Sequence, residues 1–567
     1  MNSRRAILAN ARQLLTASIS GVTILTRREG CLVRGGPADV PWCRAFSRFT
    51  DGRNSQNPGC LPRVATGVFG LTGVFDLTDV FGLSGAFGFL GVFRWSGKDF
   101  LNMREKAVVP KNENESTRLG SPLHRRSFLN GSIAAAVTAT SLGGATAAQA
   151  AGAGAVLKAG AGRAVIDFPS SLLPLDGFTT VHDDLYVRIL LLENGSRRVA
   201  LAVLDLTSIS AEAIAAMRTT IAKASGVATA DIVVTVTHTF SAPHVQATSS
   251  STAAAQYVRQ ITKATATAIA AAVKGLRSAR VGFGTGTCDV NVNRDVLTAD
   301  GWWLGTGEAG SSDKSVGVTR LDDLDGNPIA VLINYSVQSS VMMESVMTSG
   351  DLPITADLAG AAVRHVEKQY DGDAVGFFLV GSCGDQSPAF RSKRYTIDKD
   401  KKWSQVDAQD AGWLLLTVQG ERLGTEAVRV SETIKTSGGG SGSTVRLLTD
   451  TVTVDTMAMG HPTGPAKTYD FTPTGTADVP IWILQLGNGA FVGVEPELST
   501  DTALAIKKHS PFPHTAVMSM LEGGSKNMAE AQSYARITYE AMDSSYAQGS
   551  AETVAAKIGA MLHSLRG

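Results

Sequence analysis

A single large α/β domain, with a mixed sheet and flanking helices, is the fold predicted for residues 151–567. Three observations predict it. Strand-like and helix-like runs alternate along the whole stretch. Hairpin signals are interleaved with helical crossovers, so both antiparallel and parallel pairing is expected. The chain is 44% hydrophobic over 567 residues, enough to bury a sizeable core.

The elements follow in order. VRILLLE and RVALAVLDL read as strands, and AEAIAAMRTTIAKASG as a helix closed by a glycine suited to a left-handed end. DIVVTVTHT is a strand, and AAAQYVRQITKATATAIAAAVKGL a long helix. SARVGFGTGTCDV, VGVTRLDDLDGNPIAVLINYSV and AVGFFLVGS add strands, with Asp325-Gly326 marking a hairpin turn. ITADLAGAAVRHVEKQY and DAGWLLLTVQGERLGTEAVRVSETI are amphipathic helices. SGGGSGS, Ser437–Ser443, is a flexible loop, and more strands and a final helix lie beyond it.

A formal net charge of +1 gives no electrostatic footprint for nucleic acid. No nucleotide-binding glycine loop is present. HRRSFLNGSIAAAVTATSLGGATAAQA, with Arg125 and Arg126, reads as a twin-arginine export signal ending in a small-residue cleavage site at Ala148-Gln149-Ala150. Its apolar stretch is too rich in Gly, Ser and Thr for a permanent anchor. The signal spans 103–150, and Met103 is read as the authentic start. Residues 1–102, with the repeat GVFGLTGVFDLTDVFGLSGAFGFLGVF, are read as a non-native or low-complexity extension. The expected partners are the twin-arginine export machinery and a small-molecule or lipid substrate, and the expected location is periplasmic or extracellular. Cys288 and Cys383 remain after cleavage, and no CxxC pair exists to build a cysteine zinc cluster.

The chemistry concentrates in VTVTHTFSAPHVQ, a strand-like run that ends in His238 and His244 with Phe240 between them. Such histidines hold a metal, or they satisfy hydrogen bonds at a strand end. Several ordered landmarks resemble the N-terminal catalytic domain of the neutral (alkaline, non-lysosomal) ceramidases. GAGRAVIDFP resembles that family's opening, with its acid at Asp167. In VHDDLYVRILLLE, His182 and Arg188 keep the spacing of a zinc-ligand histidine and an arginine. VTVTHTFSAPH resembles the family's His-Thr-His loop, NVNRD its Asn-Arg-Ser motif, and GVEPEL its Pro-Gly-Glu-Leu motif. RLDDLDGNPIAVLINYSVQ, SGDLP and VGSCGDQSP resemble later landmarks, and the series spans most of residues 157–500.

The resemblance implies a zinc amidohydrolase that cleaves ceramide into sphingosine and fatty acid. It implies His182 and Glu497 as metal-site residues, with Glu495 as a register alternative, and the loop itself offers His238 on the same side as position 240. The family's second loop histidine is Phe240 here, which has no lone pair to offer, and His244 is the substitute ligand. Asp295 stands where the family has its catalytic serine, and reads either as a base or ligand at the scissile bond or as the mark of a lost amidase reaction, while Arg188 is read as a support behind the metal site. Tyr534 is a distant match for a tyrosine ligand. No match to the family's immunoglobulin-like C-terminal domain is expected. A catalytic zinc takes about three protein ligands plus an open position for water.

Other readings stay open. Asp351 and Asp385 either add carboxylates or cap helices. Cys383 reads as a small buried residue. Trp302 and Trp303 line an acyl or sugar pocket, or only pack. A non-catalytic ligand-binding protein on the same scaffold, or a metal hydrolase for another amide or ester, are the alternatives to amide hydrolysis.

Overall fold

The computed structural model describes residues 156–195, 197–438, 444–524 and 526–566, together with three short strands near the N-terminus. The signal segment 103–150 and residues 439–443 of the glycine-rich loop lie outside the described residues. The chain divides into two units, Met1–Ser141 and Leu142–Gly567. In the first, Thr16–Ile19, Val22–Arg27 and Gly30–Arg34 pair as an antiparallel meander.

The second unit is built on eight strands: β1 (Leu157–Val165), β2 (Tyr186–Asn194), β3 (Arg197–Leu204), β4 (Ile232–Val236), β5 (Arg277–Thr287), β6 (Ser315–Asp323), β7 (Pro328–Tyr335) and β8 (Val375–Val380). Their order is β8-β7-β6-β5-β1-β2-β3-β4. Two halves repeat one plan. In each, three antiparallel strands lead into a helix and then a strand parallel to the third. Helix α1 (Ala211–Ser225) makes the crossover from β3 to β4. The long α2 (Thr252–Lys274) then links the halves, and α3 (Asp357–Gln369) makes the second crossover, from β7 to β8. An additional helix, α4 (Gly412–Thr433), follows β8.

Local chemistry sets these boundaries. The Ser210 side chain accepts the Ala213 N–H at the start of α1, and Gly226 ends it in a left-handed turn with φ 71°. Gly326 takes φ 90° in the β6–β7 hairpin, as Asp325-Gly326 predicts. In β1, a Cβ on Gly160 or Gly162 would run into the main-chain oxygen of Ala272 or Ala268, so these glycines let α2 lie against the strand.

Strand alternation divides the core. Val187, Ile189 and Leu191 of β2 face α1 to α4 with Ile214, Ile261 and Leu423, while Leu190 and Leu192 face the opposite way. There they meet a second sheet of β9 (Val445–Met457), β10 (Pro473–Leu486), β11 (Gly489–Val494) and β12 (His514–Met518), through Leu484, Leu486 and Phe491. The far side of that sheet is covered by α5 (Thr500–His509) and the last helix, Ser550–Ser564, through Ile481, Ile483, Ile506, Val554 and Ile558. The result is four layers, helix–sheet–sheet–helix.

The large sheet curls until its edges meet across segment 519–522. Ser519 N–H donates to Val380 O of β8 at 3.1 Å, and Glu522 N–H donates to Val234 O of β4 at 2.9 Å. Thr235 Oγ1 donates to Met520 O at 3.2 Å. The chain leaving β4 and the chain leaving β8 are thereby placed together, and the candidate site forms there.

Candidate functional site

β4 stops at Val236, short of the strand reading that ran through His238, because His238 adopts φ 55°. A non-glycine residue in this left-handed region costs roughly 1–2 kcal/mol, so surrounding contacts must hold it. The ring is buried at 4% exposure. Its Nδ1 lies 3.0 Å from Thr207 O, an atom that can only accept, so Nδ1 carries the proton. Nε2 is left with a lone pair. It stands 3.3 Å from Glu497 Oε1, out of line for a hydrogen bond, and is shut off from solvent without a donor.

Glu497 belongs to a two-residue strand, Glu497–Leu498, that pairs in parallel with Asn527–Met528. Gln338 Nε2 donates to its Oε2 at 2.7 Å, and the Cys383 thiol approaches the same oxygen at 3.8 Å. Burial pushes the Glu497 carboxyl up, but a His238 ring with a proton on Nε2 in place of the bare lone pair, together with Arg294 and Gln338, outweighs it and holds the group at about 2. Gln338 is itself oriented by Arg294, whose NH1 donates to Gln338 Oε1 at 3.0 Å while its Nε donates to Glu540 at 2.6 Å. Burial, reinforced by Glu497, raises the Cys383 thiol well above its ordinary range.

The donor atoms of His238, Cys383 and Glu497 lie within 4.8 Å of one another, the one such grouping found among the described residues. Nitrogen, oxygen and sulfur donors at this separation fit a small divalent ion. The orphaned Nε2 supports the fit, because a ring nitrogen fixed by an Nδ1–H to a carbonyl is the arrangement that metal-binding histidines adopt. Cys383 would have to lose its proton to take part.

His238 and Glu497 open onto a cavity of about 510 Å³, while Cys383 lies behind them, fully buried and off the lining. His238, Phe240, Arg294, Trp303, Glu497 and Tyr539 are among its lining. The rings of His238 and Phe240 meet edge to face at 4.4 Å. His244 lines the same cavity, but it is exposed and bound to Asp176 at 2.6 Å. His182 is not brought to this group. Its main chain is pinned to Ile354 O at 2.8 Å, its ring stacks on Trp413 at 3.6 Å, and it does not line the cavity.

The remaining sequence candidates are placed as follows. Arg188 pairs with Asp205 at 2.5 Å inside the sheet and is not part of the lining. Asp295 also lies off the lining, with its carboxyl facing Glu540. Burial and Glu540 raise it well above the ordinary carboxylate range. Asp295 Oδ1 and Glu540 Oε2 are both shut off from water without a donor, and one shared proton would satisfy both. Asp385 caps α5 from outside, accepting Thr500 N–H at 3.0 Å and Thr500 Oγ1 at 2.8 Å. Burial and the nearby Glu530 push it up to about 7. Asp351 is held by Thr179 and Ser349 at 3.0 and 2.7 Å. Glu495 does not line the cavity, and burial raises its carboxyl. Tyr534 is buried with its hydroxyl on Tyr546 O at 2.6 Å. Trp303 packs against Trp403 and Tyr539, whereas Trp302 lies under Arg536. Cys288 and Cys383 form no disulfide.

Gln338, Tyr539, Glu540 and Arg391 belong to the site or its support and were not singled out from sequence. Their only signal is spatial, since they come from a loop after β7, the four-residue helix Tyr539–Met542 and the irregular segment ahead of the Lys393–Ile397 strand.

No family model matches the chain, and no curated protein matches it. Solved structures do. A ceramidase complexed with C2 is 16% identical, with a TM-score of 0.56 over 73% of this chain and 75% of that one. The neutral ceramidase from Pseudomonas aeruginosa is 17% identical, with the same TM-score and the same coverage. With its mixed sheets, flanking helices and this match, the chain has a neutral-ceramidase-like fold.

Proposed function

We propose that this chain is an exported, zinc-dependent hydrolase of the ceramidase kind, cleaving an amide bond of a lipid-like substrate held in the 510 Å³ cavity. The observation that carries the reading is the bare Nε2 of His238, 3.3 Å from an ionised Glu497 and beside Cys383. Those three side chains would hold the metal. When bound, zinc polarises a carbonyl oxygen and lowers the pKa of water from 15.7 towards roughly 7.

The chain's own residues prepare the rest. Thr207 fixes the histidine tautomer, and the Arg294–Gln338 pair keeps Glu497 charged and oriented. Tyr539, raised by burial, keeps its phenol proton at neutral pH and can donate to substrate oxygen. Phe240, Leu304, Trp303 and Met343 supply apolar lining for an acyl chain. The signal segment with Arg125 and Arg126 supports export. No helix among the described residues is long and apolar enough to cross a membrane.

The test is the metal content of the protein purified without chelator, alongside hydrolysis of a short-chain ceramide. About one zinc per chain, lost in His238→Ala and kept in His182→Ala, is expected. Turnover should follow the metal. A second reading, ligand capture without turnover, is favoured by Phe240, whose ring occupies the space beside His238. A folded, metal-free native protein would select it.

A further inference from the structure

Four lysine and arginine side chains line the cavity: Arg294, Arg391, Lys393 and Lys526. Three have carboxylate partners. Arg294 pairs with Glu540 at 2.6 Å, Lys393 with Glu344 at 3.0 Å and Lys526 with Asp543 at 3.7 Å. Arg391 has no carboxylate partner among the described residues. Its NH2 meets only the Met343 thioether, at 3.1 Å, and its Nε is closed off from solvent with no acceptor. A thioether is a weak acceptor, and a guanidinium does not escape by losing its proton.

The charges around Arg391 do not supply the missing anion. Arg294 has the same sign, and the facing carboxylates are Glu344 and Asp357. Glu344 is committed to Lys393, and Asp357 accepts main-chain N–H groups of Val341, Met342 and Leu358 at 2.8, 2.8 and 2.6 Å. Other desolvated arginines of this chain are matched, Arg188 by Asp205 at 2.5 Å and Arg320 by Asp322 at 2.8 Å. A smaller recess of about 20 Å³ shares Arg294, Leu304, Arg391 and Tyr395 with the main cavity and adds Arg394. Three guanidinium groups therefore line one recess where no acid among the described residues pairs with Arg391.

A half-buried guanidinium whose Nε is shut off from solvent and lacks an acceptor is unfavourable without a counter-charge, and its planar group matches carboxylate or phosphate through two parallel hydrogen bonds. We propose that Arg391 binds an anionic headgroup, carboxylate or phosphate, so that the molecule taken into this cavity is an anionic amphiphile. The inference rests on the reading of this cavity as the substrate site, but not on turnover.

The experiment is therefore a binding measurement. N-dodecanoylglycine, dodecyl phosphate and the neutral N-dodecanoylglycinamide are titrated calorimetrically below their micelle concentrations into the native protein, R391Q and R391K. At least one anionic probe should bind the native protein about tenfold or more tighter than the neutral one, with a margin that narrows as salt is added. The margin should vanish in R391Q and return in part in R391K. Comparison of the carboxylate and phosphate arms identifies the headgroup. Equal binding or no binding of the three probes by native protein overturns the proposal, as does a margin that survives in R391Q. Should R391Q fail to fold, the native comparison and its salt dependence decide alone. Hydrolysis that discriminates no charge would leave the proposed function standing and remove this inference, whereas anion-selective binding without hydrolysis would do the reverse.

Discussion

The bare ring nitrogen of His238 faces a carboxylate oxygen of Glu497 across 3.3 Å, while the ring's other nitrogen is committed to Thr207 O at 3.0 Å. Two lone pairs so placed repel each other unless a proton or a cation lies between them. The pair is thus a socket for positive charge, and its behaviour on acidification and metal loading can be anticipated.

In chelated protein, Glu497 contributes to stability in a defined pH window. Its folded value, about 2, lies below the ordinary 4.5. A depressed carboxylate stabilises above the unfolded value, and that contribution is lost as pH falls through the folded value. Native protein and Glu497→Gln should be compared by denaturant unfolding at pH 6 and pH 3. The advantage of the native chain should shrink by about 2 kcal/mol at the lower pH. A gap that does not change with pH would mean that Glu497 is not held ionised by its neighbours.

Asp385 works in the opposite sense. Its folded value of about 7 lies above 3.8, so the fold favours the protonated acid. That contribution is complete below the unfolded value and disappears as pH rises through 7. Asp385→Asn keeps an acceptor for Thr500 without the charge. Between pH 5 and pH 8, native protein should lose stability relative to this variant by on the order of 3 kcal/mol. Parallel pH curves would refute the assignment.

Phe240→His tests the gap beside the candidate metal group. The Phe240 ring centroid lies 4.4 Å from that of His238, so an imidazole there brings another nitrogen donor to the group. Zinc affinity, measured by competition with a chromophoric chelator, should rise by about tenfold or more. Unchanged affinity in a folded variant would place the metal beyond reach of position 240.

Arg188→Met isolates a structural role. Both members of the Arg188–Asp205 pair are 2% exposed at the side chain, and removing one leaves a buried charge unanswered. A loss of about 3–5 kcal/mol is expected by chemical denaturation. Zinc content per folded molecule should stay at the native level. Metal loss without destabilisation would return Arg188 to the site.

Much of this architecture was legible in the sequence because it rests on local rules. The apolar runs of β2, β3 and β8, the Ser210 and Gly226 ends of α1, and the Asp325-Gly326 hairpin all follow from side-chain period and turn chemistry. The loop around His238 was visible as a place of interest, and Glu497 was legible through motif resemblance. The positions of the other candidates were not. His182 keeps its spacing from Arg188, yet the short Thr180–Val181 pairing with Pro353–Ile354 fixes its main chain and Trp413 takes its ring. The contacts of Gln338, Arg391 and Tyr539 depend on how the curled sheet and the second sheet meet. No periodicity along a chain encodes that meeting.

The strap at 519–522, which ties β8 to β4, has a consequence for synthesis. His238 leaves the ribosome long before Met520, and Glu497 comes only shortly before that strap. Until the strap is made, both sheet edges stay open and the left-handed turn at His238 lacks its full enclosure. A nascent chain therefore offers isolated side chains rather than an assembled pocket. A metal held by the finished geometry would have to arrive after elongation is nearly complete, so that its loading would report on a fully formed molecule.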